Sequence, residues 1–271
     1  MMAVFLVLTL ILGAMALLWW SQEKILFQPP LFSGDPAESD CVHYHAADGQ
    51  HLQGFIVGDP RSAPMTLLCF HGNADLSIRQ LDWARSIERR TGCAVMLSEY
   101  RGYMSLEGKP TYLSSKLDAQ AAYDYLCTTF GIDANRLAFF GHSLGSAVAT
   151  ELAEVHRPRA LLLQSPFTSA SAMARVIVVP PISFVWRAIS RIHFDTARVV
   201  SALDVPVFVT HGKRDRIVPF RMGMEVYNGA KMKGSLLIVD EAGHSDIPQV
   251  AGEKYWTWIS SALPTPTRVL D

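Results

Sequence analysis

Cysteines are few in this 271-residue chain, and charge of neither sign is in excess. The four cysteines form no CxxC pair and no spacing typical of metal ligands, and they do not indicate a disulfide framework. The formal net charge is −1, so the sequence lacks the basic footprint that a nucleic-acid partner usually requires. We therefore expect neither a metal site nor a nucleic-acid partner.

Charged side chains are absent from residues 1–22. The stretch Ala3–Trp20 is apolar at all but two positions, and a helix of about 20 apolar residues just spans the hydrocarbon core of a bilayer. Trp19 and Trp20 close the stretch, at the place where interfacial aromatic residues belong. The sequence therefore predicts a single-pass membrane anchor at residues 1–22.

A cleaved signal peptide is the alternative interpretation of this stretch. Ala14-Met15-Ala16 satisfies the small-residue rule for cleavage, but the apolar run continues past it and no basic region precedes it. Downstream, Lys24 is outnumbered by acidic residues, so little positive charge would hold this flank in the cytoplasm. The pattern favours an extracytoplasmic catalytic domain.

Residues 23–40 form a polar, proline-containing connector, and short apolar runs alternate with helical stretches over residues 41–271. Two runs around Asp48-Gly49 are typical of a β-hairpin. The later runs are brief and bounded by turn residues, as strands buried on both faces are; they are Thr66–Phe70, Ala94–Leu97, Leu137–Phe140, Ala160–Leu163, Val205–Thr210 and Leu236–Val239. The alternation predicts an α/β domain with a mostly parallel sheet and helices on both faces.

The segment Gly141-His142-Ser143-Leu144-Gly145 is a complete G-x-S-x-G motif between an apolar run and a helical stretch. In that context a strained strand-to-helix turn exposes the serine hydroxyl above the sheet, and the glycines permit the close approach. The helix N-terminus also favours developing negative charge. The motif predicts Ser143 as a catalytic nucleophile.

A serine nucleophile needs a base to take its proton. In the fold that carries this motif, the chain order is serine, acid, histidine, with the last two in loops after later strands. Asp215 follows the run Val205–Thr210, and His244 follows Leu236–Val239. These positions predict Asp215 as the acid and His244 as the general base.

Other acids and histidines fit these roles less well. The remaining histidines precede Ser143, adjoin it, or lie in helical, cap or strand-end segments. Asp240 and Glu241 are too near His244 in sequence to orient it from a separate loop, and Asp204 precedes its strand.

A tetrahedral intermediate needs donors directed at its oxyanion. One should be the backbone N–H of Leu144, the residue after the nucleophile. The second should come from the loop His71–Ala74 after an early strand, where Asn73 is preferred and Ala74 is the alternative. The other interpretation of His71-Gly72 is an ordinary turn.

Residues 166–200 interrupt the strand–helix alternation. Their apolar run Val176–Trp186 is flanked by arginines at 175, 187 and 191. The segment is predicted as amphipathic helices packed over the sheet, as a small cap with an apolar inner face above the active site, or as both.

A series of motifs resembles the Bem46-like α/β hydrolases, which include membrane-associated depalmitoylating and lipid-hydrolysing members. The similarity runs from about Thr66 to Leu263 and rests on the following segments: His71-Gly72-Asn73-Ala74, Glu99-Tyr100-Arg101-Gly102-Tyr103, Gly108-Lys109-Pro110, Gly141-His142-Ser143-Leu144-Gly145, Ser165-Pro166-Phe167-Thr168-Ser169 and Gly243-His244. Met104 departs from the pattern, because the family usually has glycine there; methionine would be strained if that position adopts a positive φ.

The resemblance implies the α/β-hydrolase fold with a sheet of about eight strands and a small helical cap. It also implies hydrolysis of esters or thioesters without a cofactor, through Ser143, Asp215 and His244. We expect a membrane-tethered hydrolase of small-molecule or lipid esters with apolar acyl groups. The alternatives are a serine peptidase or amidase, an acyltransferase, and a receptor or scaffold with an inactive site.

Overall fold

The computed structural model describes residues 2–34, 40–177, 186 and 189–264. Its centre is an eight-stranded sheet with the strand order β1-β2-β4-β3-β5-β6-β7-β8. The strands are β1 Cys41–His45, β2 His51–Val57, β3 Thr66–Phe70, β4 Ala94–Ser98, β5 Leu137–His142, β6 Ala160–Gln164, β7 Val207–Gly212 and β8 Lys233–Val239. Strand β2 is antiparallel to β1 and β4, and the pairs from β4 through β8 are parallel. The predicted α/β-hydrolase fold is confirmed.

Nine helices flank or precede this sheet in the described part of the chain. They are α1 Met2–Leu26, α2 Leu81–Thr91, α3 Tyr112–Phe130, α4 Leu144–His156, α5 Ala170–Ile177, α6 Thr196–Ala202, α7 Phe220–Gly229, α8 Ile247–Ala251 and α9 Glu253–Ser260. Helices α8 and α9 are separated at Gly252, where the chain turns with φ of 54°. Only glycine adopts such a conformation without a steric penalty.

The central strands β3 to β7 are buried at every residue. Helices cover both faces of a parallel sheet, so its strands contain apolar residues on both faces in place of an alternating pattern. This explains why short, continuous apolar runs located the strands in the sequence. The carboxyl ends of these parallel strands share one edge of the sheet, and the loops beyond that edge carry the site described below.

The sequence predicts a membrane anchor at residues 1–22, and the structure has helix α1 there, ending at Leu26. Within the described ranges, no helix combines the length and the apolar character needed to cross a membrane. The prediction of a single-pass N-terminal anchor is therefore wrong. The extracytoplasmic placement of the catalytic domain rested on that anchor and loses its basis.

The end of α1 packs against the domain that follows it. The Gln22 side chain is 1% exposed, and its Oε1 accepts a hydrogen bond from Arg191 N–H at 2.7 Å. The Arg191 guanidinium stacks over the Trp19 ring at 4.4 Å. Leu18 and Leu26 contact the hydrophobic core. Leu18 and Leu26 thus bury apolar surface against the protein at this end of α1.

The cap predicted at 166–200 is described in part. It contributes α5, the buried Trp186 and the start of α6. Residues 178–185 and 187–188, which include most of the predicted apolar run and Arg187, lie outside the described residues, as does 35–39 of the connector.

Candidate active site

Ser143 lies in the turn between β5 and α4, with φ of 53° and ψ of −117°. A non-glycine residue rarely adopts a positive φ, and such strain is concentrated at functional sites. The flanking glycines make this turn sterically feasible. A Cβ on Gly141 would lie 2.2 Å from Gly145 O, and one on Gly145 would lie 2.0 Å from Phe70 O. The packing of α4 against β3 and β5 therefore requires both glycines of the motif.

Asp215 and His244 lie in the loops after β7 and β8, as the chain order predicts. His244 Nδ1 donates a hydrogen bond to Asp215 Oδ2 at 2.7 Å. Because Nδ1 carries this proton, Nε2 of a neutral His244 is left as the acceptor that a general base needs. In the described chain, no hydrogen bond joins Ser143 Oγ directly to His244; such bonds are often long in the absence of substrate.

Two side chains beside the nucleophile hold the His244 backbone. The His244 carbonyl oxygen accepts hydrogen bonds from His142 Nε2 at 3.1 Å and from Ser165 Oγ at 3.2 Å. Burial, and secondarily the proximity of His244, lowers the pKa of His142 to about 4. His142 is therefore neutral at pH 7 and uses its Nε2–H as the donor. Ser143 and His244 are thus connected through His142, although the sequence indicated His142 only as the neighbour of the nucleophile.

The Asp215 carboxylate is fixed by donors on both oxygens. Oδ1 accepts from the N–H groups of Ile217 and Val218, each at 2.8 Å, and Oδ2 lies 3.2 Å from His211 Nε2. Burial alone would raise the pKa of Asp215, but the hydrogen bonds from His211 and His244 outweigh it and lower the pKa below its usual value. Asp215 is therefore ionised at neutral pH. In the sequence, His211 stands out only as one of the histidines weighed as the base, and no spacing pattern indicates its contact with Asp215.

The loop predicted to supply the second oxyanion donor, His71–Ala74, lies against Ser143. A Cβ on Gly72 would be 3.4 Å from Ser143 Cβ. The Asn73 side chain is fixed, because its Oδ1 accepts from Gln28 N–H at 2.7 Å and from the Tyr103 hydroxyl at 3.0 Å. Among the described residues, no acceptor is found for the backbone N–H of Asn73 or Leu144. Both N–H groups are therefore available to a ligand.

A buried ion pair lies behind this loop. His71 Nε2 is 2.5 Å from Glu99 Oε1, and His71 Nδ1 is 2.7 Å from the Gly72 carbonyl oxygen. Both ring nitrogens face acceptors, so both must carry protons. Burial alone would lower the pKa of His71, but the Glu99 carboxylate raises it above its ordinary value. Glu99 also accepts from the N–H and hydroxyl of Ser77. The pair ties the loop His71–Ala74 to the residue that follows β4.

Met104 adopts the backbone conformation that its glycine-like position suggested, with φ of 47°. Its side chain is 3% exposed, and the Ser77 hydroxyl lies 3.5 Å from its sulfur atom. Glycine would adopt this φ without strain, whereas methionine is strained there. The buried contacts of the Met104 side chain hold it in this conformation. Through Ser77, Met104 is linked to the Glu99 carboxylate.

A cavity of about 240 Å³ opens beside Ser143. Of the described residues that line it, only Ser143, Asn73 and Gln28 are polar. Its apolar wall comes from α1, from described residues of segment 166–200 and from the loop after Asp215. It includes Leu26, Phe167, Met173, Trp186 and Val218. Such a cavity offers a ligand a mainly apolar surface next to Ser143.

No protein-family model matches the sequence. The chain is 31% identical over 245 residues to an uncharacterized protein of Mycobacterium tuberculosis, which covers 86% of this chain and 84% of that protein. It is 29% identical to the alpha/beta hydrolase domain-containing protein WAV2 of Arabidopsis thaliana over 91% of this chain and 89% of the relative. It is 26% identical to the human alpha/beta hydrolase domain-containing protein 17B over 77% and 70%.

Solved structures of esterases share the fold. An esterase of Pyrococcus furiosus matches with a TM-score of 0.67 and 21% identity, over 86% of this chain and 97% of the esterase. An acetyl xylan esterase from Paenibacillus matches with a TM-score of 0.61 and 21% identity, over 90% and 93%. The fold and the relatives together define the class of protein. The chain belongs to the α/β-hydrolase family, whereas membership of the Bem46-like group stays a prediction.

Proposed function

We propose that this hydrolase cleaves carboxylic esters or thioesters with apolar acyl groups, using Ser143, His244 and Asp215. The observation that carries the proposal is the hydrogen bond between His244 and the ionised Asp215, in loops beside the strained Ser143 turn. The cavity beside Ser143 supports the apolar acyl group. Names of related esterases agree with ester chemistry but leave the substrate open.

Ser143 Oγ would attack the acyl carbonyl carbon while His244 Nε2 takes the hydroxyl proton. The N–H groups of Leu144 and Asn73 would donate to the oxyanion of the tetrahedral intermediate. Its collapse breaks the bond to the leaving alcohol or thiol, which receives the proton from His244. A water molecule, deprotonated by His244, then attacks the acyl-enzyme and releases the acid and free Ser143. Asp215 keeps the imidazole in the productive tautomer and stabilises the imidazolium.

The apolar lining bears on the choice between acyl esters and peptides. Each methylene buried gains about 0.8 kcal/mol, so longer acyl chains should bind better until the cavity is filled. None of the described residues that line the cavity is acidic, so nothing there would pair with the α-amino group of a peptide. Ester substrates with apolar acyl groups fit this lining better than peptides.

The test compares kcat/KM for p-nitrophenyl esters from acetyl to octanoyl with that for aminoacyl nitroanilides. We expect kcat/KM to rise with acyl length and to exceed the values for the anilides by orders of magnitude. Faster cleavage of the anilides would favour the peptidase alternative. Ester cleavage with no gain from acetyl to octanoyl would refute the apolar acyl group.

A further inference from the structure

The C-terminal turn of α1 forms one side of the catalytic cavity. Ile25 and Leu26 line the same space as Ser143 and Leu144. Ile25 is 45% exposed, whereas Leu26 is partly buried and packs against the hydrophobic core. The two side chains therefore present adjacent apolar surface, with Leu26 on the side of the core and Ile25 on the side of the solvent.

Polar contacts to separate parts of the domain fix this turn. The Gln22 side chain bonds Arg191 N–H and also donates to Trp19 O at 2.8 Å. Glu23 Oε2 accepts from Tyr112 N–H, at the start of α3, at 3.1 Å. A wall held at both the cap side and α3 has a defined position relative to the nucleophile.

The chain after this turn also contacts the oxyanion loop. Gln28 N–H donates to Asn73 Oδ1 at 2.7 Å, and Phe27 is buried at 3% exposure. The end of α1 therefore forms part of the cavity wall, and the chain directly after it contacts the loop beside Ser143. A bulkier side chain at residue 25 or 26 would protrude into the cavity, because the backbone behind it is anchored.

We infer that Ile25 and Leu26 are specificity-determining residues that limit the length of the acyl chain accepted beside Ser143. The inference rests on the proposed function, since it assigns a role in the site of that reaction. Both residues lie in the predicted connector 23–40, at the end of the helix whose earlier part was predicted as a membrane anchor. A hydrophobic pocket that loses room for a methylene usually discriminates by about tenfold or more.

The experiment uses the full-length chain and reads out the reactivity of Ser143 itself. Second-order rate constants for labelling by ethyl and decyl fluorophosphonates are measured by intact-protein mass spectrometry. In Leu26→Trp and Ile25→Trp, the decyl-to-ethyl ratio of rate constants should fall about tenfold or more. Leu17→Trp is the matched control, because Leu17 lies on the same helix and is 64% exposed; its ratio should equal that of the unaltered chain.

Leu26→Ala keeps the test informative if the tryptophan variants do not fold. It enlarges the cavity and should therefore raise the decyl-to-ethyl ratio of rate constants. An unchanged ratio in the folded variants, or an equal loss of both rates, would overturn the role of α1 while leaving Ser143 as the nucleophile. No labelling of Ser143 in the unaltered chain would instead refute the proposed function. The two failures are therefore distinguishable.

Discussion

At the scale of single residues, the site depends on side chains that hold other side chains. Asp215 accepts hydrogen bonds from three donors, namely His244 and the N–H groups of Ile217 and Val218, and His211 Nε2 lies 3.2 Å from its Oδ2. An ionised carboxylate with this many donors stabilises the folded chain and also holds the His244 ring in place. This contribution should be visible in the pH dependence of stability.

We predict that Asp215→Asn abolishes most of the hydrolysis and also removes part of the acid sensitivity of the fold. The pKa of Asp215 is lowered in the folded chain relative to the unfolded value of about 3.9. The ionised carboxylate therefore stabilises the fold fully above that unfolded pKa, and this contribution is lost as the pH falls towards the pKa of the folded chain. Between pH 6 and pH 3, the unaltered protein should lose more free energy of unfolding than Asp215→Asn.

Urea unfolding at each pH measures this difference. Asp82→Asn serves as control, because the Asp82 side chain is 99% exposed, and it should follow the unaltered protein. Parallel pH profiles for Asp215→Asn and the unaltered protein would contradict the account of Asp215. The loss of kcat on its own should be about 10⁴-fold, the size typical when the acid of such a triad becomes an amide.

At the scale of elements, the contact between α4 and β3 positions Ser143. Gly145, in the first turn of α4, lets the helix approach the carbonyl of Phe70 so closely that no side chain fits. We predict that Gly145→Ala destabilises the fold by about 1–3 kcal/mol or more through overpacking. It should also lower hydrolysis, because α4 must shift away from the strand and carries Ser143 with it.

Gly229→Ala is the matched control for this exchange. A Cβ at Gly229, at the end of α7, would meet nothing within 4 Å. Its urea midpoint and activity should therefore stay close to those of the unaltered chain, since the loss of backbone freedom in the unfolded state is the main effect there. A Gly145→Ala variant as stable as Gly229→Ala would show that the close contact of α4 with β3 is not required.

Helix α1 shows what periodicity and hydropathy leave out at this scale. A run of apolar residues indicates a surface that avoids water, but it does not indicate whether lipid or protein covers that surface. Gln22 and Glu23 mark the protein side, because their polar groups bond Arg191 and Tyr112. Those contacts join distant parts of the chain, so the sequence of α1 alone could not predict them.

At the scale of the whole molecule, the sequence predicted the sheet well. Each apolar run overlaps a strand, and Asp215 and His244 follow β7 and β8 as expected. Chain order sufficed because parallel strands bring their carboxyl ends to one edge. Three contacts of the site could not be predicted from the sequence, because each joins residues through tertiary packing that leaves no spacing pattern. They are the His71–Glu99 pair, the bond between His142 and the His244 backbone, and the contact of His211 with Asp215.

The most direct test of the central claim is to locate the residue that reacts with a fluorophosphonate. The full-length chain and Ser143→Ala are treated in parallel, digested and analysed by peptide mass spectrometry, after thermal unfolding has shown that both are folded. We predict one adduct on Ser143, none at this site in Ser143→Ala, and a fall in kcat/KM for p-nitrophenyl butyrate of at least about 10³-fold. An adduct on another serine, or a folded Ser143→Ala variant that keeps more than about a tenth of the activity, would contradict the assignment of Ser143 as the nucleophile.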